Sequence, residues 1–162
     1  MKRISLLVII LSVTAGATAR GGGGGGGQEP GPGHGAEGIP EEVVVAKMQA
    51  FQDFYNADET SRSAEIYKEE DILVTVNGDF FVGTTRAEVA DFLDTLRNVY
   101  GGTNINFIVT NVCHQLSPDV ANIHEDTWTA DNGSGTCKAI WEKQDNGDWL
   151  IIADEITFVP NE

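Results

Sequence analysis

Residues 137–155, CKAIWEKQDNGDWLIIADE, alternate apolar and polar side chains on either side of Asn146-Gly147. A period of two marks a half-buried strand, and Asn-Gly favours a tight hairpin turn. With Asn146-Gly147 as the turn centre, Asp145 faces Asp148. Counting outward then sets Trp141 opposite Ile152, Ala139 opposite Asp154 and Cys137 opposite Ile156.

The run before this hairpin, DVANIHEDTWTA (119–130), joins it through Asp131-Asn132-Gly133. Centring that turn at Asn132-Gly133 places Trp128 opposite Cys137, Asp126 opposite Ala139 and His124 opposite Trp141. One face of the sheet then collects Asn111, His124, Asp126, Trp128, Trp141 and Asp154, with small Ala139 between the two carboxylates. The other face carries Glu125, Lys138, Glu142 and Glu155, as a solvated or dimer-facing surface would. The first face is therefore expected to look inward, although a single bulge would swap part of it.

The same register bears on the two cysteines. A turn at Ser117-Pro118 puts Cys113 opposite Asn122, while Cys137 lies opposite Trp128. Six residues along the shared strand is about 20 Å at ~3.4 Å per residue, against a disulfide Cα separation of at most about 7 Å. Two free, buried thiols are expected.

Upstream, IPEEVVVAKMQAFQDFYNADE begins with Pro40 and the acids Glu41 and Glu42, which suit a helix start. Val44, Met48, Phe51 and Tyr55 form one apolar stripe of a helix. A shorter helix is predicted from Thr60 to Glu70, with Thr60 as N-cap and Ala64 and Tyr67 inward. ILVTVNGDFFVG reads as two strands about Asn77-Gly78. Thr85 to Glu88 is a capping box, opening a third helix that stops at Gly101-Gly102. Helices around an early hairpin, then strand upon strand, make an α+β domain.

The chain opens MKRISLLVIILSVTAGATAR, a basic start, a short apolar run and an A-x-A pattern at Ala17 and Ala19. Residues 1–19 read as a signal peptide, so the mature protein is expected to be secreted, extracellular or periplasmic. Residues 20–38 include seven consecutive glycines and almost no apolar side chains, the composition of a flexible tether. Residues 39–162 suffice for one domain. Formal charge is −15, and removing Lys2 and Arg3 from the 10 basic residues leaves 8 against 25 acidic ones. Such a surface repels phosphate backbones and anionic lipid, so no nucleic-acid or membrane partner is expected. Asn132-Gly133-Ser134 is a glycosylation sequon, usable only in a eukaryotic secretory route.

The order of FYNADETSRSAEIYKEEDILVTVNGDFFVGTTRAEVADFL followed by CKAIWEKQDNGDWLIIADE resembles the SnoaL-like branch of the nuclear transport factor two-like superfamily. The resemblance rests on Asn56-Ala57-Asp58 ending a helix, Tyr67 and Asp71 leading into the first strand, Gly83 before a helix, and Trp141 and Trp149 in the last hairpin. It covers the domain after Ile39. It implies a cone: a strongly curved antiparallel sheet wrapped by three N-terminal helices, with an internal pocket and frequent homodimers. Ketosteroid isomerase-like members carry a base carboxylate at the end of the first strand, where this chain has Val76-Asn77. Scytalone dehydratase-like members carry Tyr-Asp on the first helix, where this chain has Tyr55-Asn56. Neither mechanism transfers whole, and fold alone does not set function.

From the residues themselves, a His and carboxylates in an apolar pocket can divide acid and base work. In that scheme His124 carries the proton, Asp126 or Asp154 orients it, and Tyr55 or Tyr67 donates to a developing oxyanion. Asn111, Trp128 and Trp141 would line the ligand site. No cofactor is needed, and no metal site is assigned. The alternative is a satisfied buried His–Asp pair in a pocket that binds a small apolar or amphipathic molecule without turnover. Binding is the first expectation, a cofactor-free lyase or isomerase the second, and a dimeric assembly module with a vestigial pocket the third.

Overall fold

The computed structural model of the chain describes residues 38–109, 114–115 and 121–162, with side chains described for 38–109 and 125–162. The expected signal peptide, most of the expected tether, Asn111, Cys113 and the side chain of His124 lie outside the described residues.

The first helix, α1 (Glu41–Asn56), has Pro40 as its N-cap and buries Val44, Met48, Phe51 and Tyr55, the predicted stripe. The second is shorter than its sequence implies. Helix α2 covers Thr60–Ser63, one 3-10 turn covers Ala64–Ile66, and Glu59 rather than Thr60 is the N-cap. The sheet captures the chain at that point: Tyr67 is extended and bridges Ile151, and the Lys68 N–H donates to the Ile151 carbonyl at 2.9 Å. Continuing the helix would forfeit that strand bond. Helix α3 (Arg86–Asn98) carries the full Thr85–Glu88 capping box. It ends where the Gly102 N–H bonds the Leu96 carbonyl at 3.0 Å.

Strands β1 (Leu73–Val76) and β2 (Phe80–Gly83) form the early hairpin. Asn77 and Gly78 both have positive φ, 52° and 75°, as an Asn-Gly turn requires. Val76 nonetheless pairs with Phe80, so Asp79 joins the loop. The rest is β3 (Asn106–Val109), β4 (His114–Gln115), β5 (Ala121–Ala130), β6 (Gly133–Lys143), β7 (Trp149–Ile156) and β8 (Val159–Pro160). The sheet runs β2-β1-β7-β6-β5-β3, with β4 on β5 and β8 on β6. It is not wholly antiparallel. Strand β1 runs parallel to β7, Val74 beside Asp154, which makes the curved sheet a mixed one.

Two register expectations are corrected. The last hairpin has a three-residue loop, Asp145–Gly147: Gly147, at φ 85°, donates to the Gln144 carbonyl at 2.8 Å. That offset sets Trp141 opposite Ile151 instead of Ile152, and a bulge at Ile152 restores the expected pairs Ala139–Asp154 and Cys137–Ile156. As a result Trp149 and Ile151, which a two-residue turn would set on the outer face with Glu142, are buried.

The β5–β6 turn is the two residues Asp131-Asn132. His124 therefore faces Ala139, Asp126 faces Cys137 and Trp128 faces Gly135. Gly133 belongs to β6 and not to the turn, and its role is close approach. A Cβ on Gly133 would lie 2.5 Å from the Val159 carbonyl oxygen, and one on Gly135 would lie 1.9 Å from that of Thr157. The C-terminal strand crosses where side chains are missing. Because the slip is two residues, the face assignment of Asp126 and Trp128 survives, and both are buried.

Candidate functional site

Three adjacent strands and one loop tyrosine build a small chamber of about 40 Å³. Asp126 on β5, Cys137 and Ala139 on β6, and Asp154 on β7 line its sheet side, with Tyr67 entering from the end of the 3-10 turn. Helices α1 and α3 close it with Met48, Phe51, Phe92, Leu93 and Leu96. By volume it holds a few water-sized groups at most.

The carboxylates are deeply placed, with Asp126 2 % and Asp154 5 % exposed. The Tyr67 hydroxyl donates to Asp154 Oδ2 at 2.6 Å, the short contact of a charge-assisted bond. Burial, then the Asp154 charge and that hydrogen bond, push the Tyr67 phenol well above its usual range. Burial, then Asp154 and Asp126, push the Cys137 thiol up in the same way. Phenol and thiol therefore stay protonated at neutral pH, and Cys137 is a free, inert thiol.

Phe92, Leu96, Trp128 and Ile156 are shared between the chamber and a second, open cavity of about 430 Å³. This mouth is walled by Phe80, Tyr100, Phe158 and Pro160. Phe158 stacks on Trp128, ring centroids 5.9 Å apart and 15° between planes. Its place is fixed by Asn77: the amide accepts from the Phe158 N–H at 2.8 Å and donates to the Phe158 carbonyl at 3.3 Å. Asn56 brackets Ile105 likewise, accepting from its N–H at 2.8 Å and donating to its carbonyl at 2.9 Å. A carboxylate could not supply the donor half of either clamp. Asn132, the sequon residue, lines the mouth, and its Nδ2 already donates to the Tyr100 carbonyl at 3.1 Å.

Asp126, Asp154, Tyr67 and Trp128 are thus brought together. Tyr55 and Trp141 are not. Both are fully buried and line neither cavity. Tyr55 lies nearly parallel to Phe51 at 6.1 Å, and its hydroxyl has no hydrogen-bond partner among the described residues; burial raises its pKa, partly offset by Arg97. It is a core residue, not a proton donor to the chamber. His124 occupies the backbone row His124–Ala139–Asp154, the place expected for Asp126. Its side chain and Asn111 lie outside the described residues. Cys137, Phe92, Leu96 and Phe158 were missed. Phe92 and Leu96 had a signal in their i,i+4 spacing, whereas Phe158 had none.

No family model matches the chain, and no curated protein matches it. Solved structures do. An NTF-2-like protein from Shewanella oneidensis MR-1 aligns at 19% identity and TM-score 0.59, over 74% of this chain and 99% of that one. A scytalone dehydratase candidate from Novosphingobium aromaticivorans aligns at 14% and 0.57, over 73% and 83%. A ketosteroid isomerase-like protein from Erwinia carotovora atroseptica aligns at 15% and 0.54, over 75% and 98%. The helices, the mixed curved sheet and these alignments agree: the chain carries the nuclear transport factor two-like fold.

Proposed function

We propose that the protein is a secreted domain that binds a small, largely apolar molecule, which enters by the mouth and presents one polar group to the chamber. The observation that carries this reading is the Tyr67–Asp154 pair and Asp126 set at the floor of an otherwise apolar cavity. Ligand sites have that composition, mostly apolar walls with a few convergent polar groups. Secretion rests on the leader-like segment 1–19, and homodimerisation on the charged outer strand face and the resemblance. The test is calorimetric titration of the protein with ring compounds. Saturable binding that Trp128→Ala abolishes supports the proposal; no binding by any of them overturns it.

A second reading, cofactor-free proton transfer by a lyase or isomerase, is favoured by two carboxyl groups and a phenol sharing one chamber. Solved proteins of this fold include the dehydratase candidate and the isomerase-like protein. At the two positions where the resemblance would place an acid, this chain has the clamps Asn56 and Asn77. Acid–base work would therefore fall to Asp126 and Asp154 with His124. Retained ligand binding and abolished conversion in His124→Ala would establish it; unchanged conversion would eliminate His124 as the proton carrier.

A further inference from the structure

Resting on the binding reading, we infer that Trp128 selects the ligand: its indole Nε1–H donates to a hydrogen-bond acceptor on the bound molecule, a carbonyl or ether oxygen. Three observations converge on this residue. Trp128 is 4 % exposed, its Nε1–H has no acceptor among the described residues, and its indole lines both the chamber and the mouth. A donor buried without a partner is costly, and folded proteins keep few of them. On the wall of a cavity the cost is removed when a bound molecule supplies the acceptor.

The neighbouring donors are committed, weak or solvated. Besides its two carboxyl groups, the described lining of the chamber has three side chains with a polar hydrogen: Tyr67, Cys137 and Trp128. The Tyr67 hydroxyl already donates to Asp154 at 2.6 Å. A thiol donates only weakly. In the mouth, Asn132 Nδ2 is taken by the Tyr100 carbonyl, and Tyr100 itself stands exposed to water. The indole N–H is thus the strong donor left for a ligand.

The position of that donor is preset. Strand β5 fixes the backbone of Trp128 between β3 and β6, and Phe158 stacks on one face of the ring. Phe92 and Leu96 of α3 line both cavities with it and are only half-buried. The N–H is shielded from water in the empty protein, so an acceptor reaches it as these two helix side chains give way.

The experiment uses two ring compounds of nearly the same shape, acetophenone and isopropylbenzene, of which the first alone carries an acceptor. Each is titrated into the full-length protein and into Trp128→Phe, which keeps an aromatic ring but lacks the N–H. The ratio of ketone to hydrocarbon affinity should fall about fivefold or more in the variant. In ¹H–¹⁵N spectra of the unsubstituted protein, one of the three tryptophan indole signals should move downfield with the ketone and not with the hydrocarbon. That second measurement decides the matter if Trp128→Phe fails to fold. An unchanged ratio, or indole signals that respond alike to both compounds, overturns this inference while leaving the binding reading intact. Binding of neither compound overturns both.

Discussion

The chamber and the mouth share four side chains and otherwise have little in common. The chamber is built on the centres of β5, β6 and β7, where neighbouring strands fix every Cα, and its polar groups are almost wholly buried. The mouth is built from ends: the last turns of α3, the β1–β2 loop and the residues around β8. Two of its aromatics are exposed, Phe80 by 60 % and Tyr100 by 67 %. Under the proposed binding reading, recognition of the polar group falls to strand centres and selection by size to loops and element ends, which adapt more readily. That division can be tested from both sides.

Trp128→Ala should have the largest effect, because this residue belongs to both regions and is 4 % exposed. A loss of about 3–5 kcal/mol in urea unfolding is expected, typical of truncating a buried aromatic. A loss under about 1 kcal/mol would mean the two regions are not joined through it. Tyr67→Phe touches the chamber only. It removes the Tyr67 donor from Asp154 Oδ2, so a cost of about 1–3 kcal/mol is expected, together with altered ligand affinity by calorimetry.

Asn77→Ala touches the mouth only. Releasing the Phe158 backbone should cost about 1 kcal/mol and raise the hydrogen-exchange rate of the Phe158 amide, with that of Ile151 unchanged. The smallest effect is alkaline. Cys137 and Tyr67 are both held protonated by the fold, so above their ordinary values, 9.0 and 10.0, the folded state binds more protons than the unfolded chain. Stability is fully present below that window and falls as pH rises through it. A Tm series from about pH 8 to about 11 should show the fall, and Cys137→Ser should delay its onset; a flat profile would place both groups in water.

How much of this could be read beforehand divides along the same line. The strand alternation that buried Asp126, Trp128 and Asp154 was legible because period two survives a two-residue slip. The helix stripe Val44–Tyr55 was legible for the same kind of reason. What failed was whatever depends on a third element. Gly133 and Gly135 look like turn residues until the C-terminal strand is seen crossing them. Tyr67 ends its helix early because Ile151 is there to bond it. Tyr55 and Trp141 carry the residue types of a ligand site, but only packing shows that they sit behind the chamber wall. Asn56 and Asn77 looked like vacant acid positions, and are backbone clamps instead.

The Asn77 clamp has a consequence in time. Asn-Gly is the dipeptide in which the following backbone nitrogen most readily attacks the side-chain amide carbonyl, releasing ammonia and closing a cyclic imide that water then opens to an acid. At Asn77-Gly78 that conversion would remove the N–H that holds the Phe158 carbonyl and add a negative charge beside the aperture. Stored protein should therefore accumulate an acidic isoform whose rim has loosened while its floor is intact. Separating fresh from aged material by charge, and titrating each, would read the age of the molecule from its grip on a ligand.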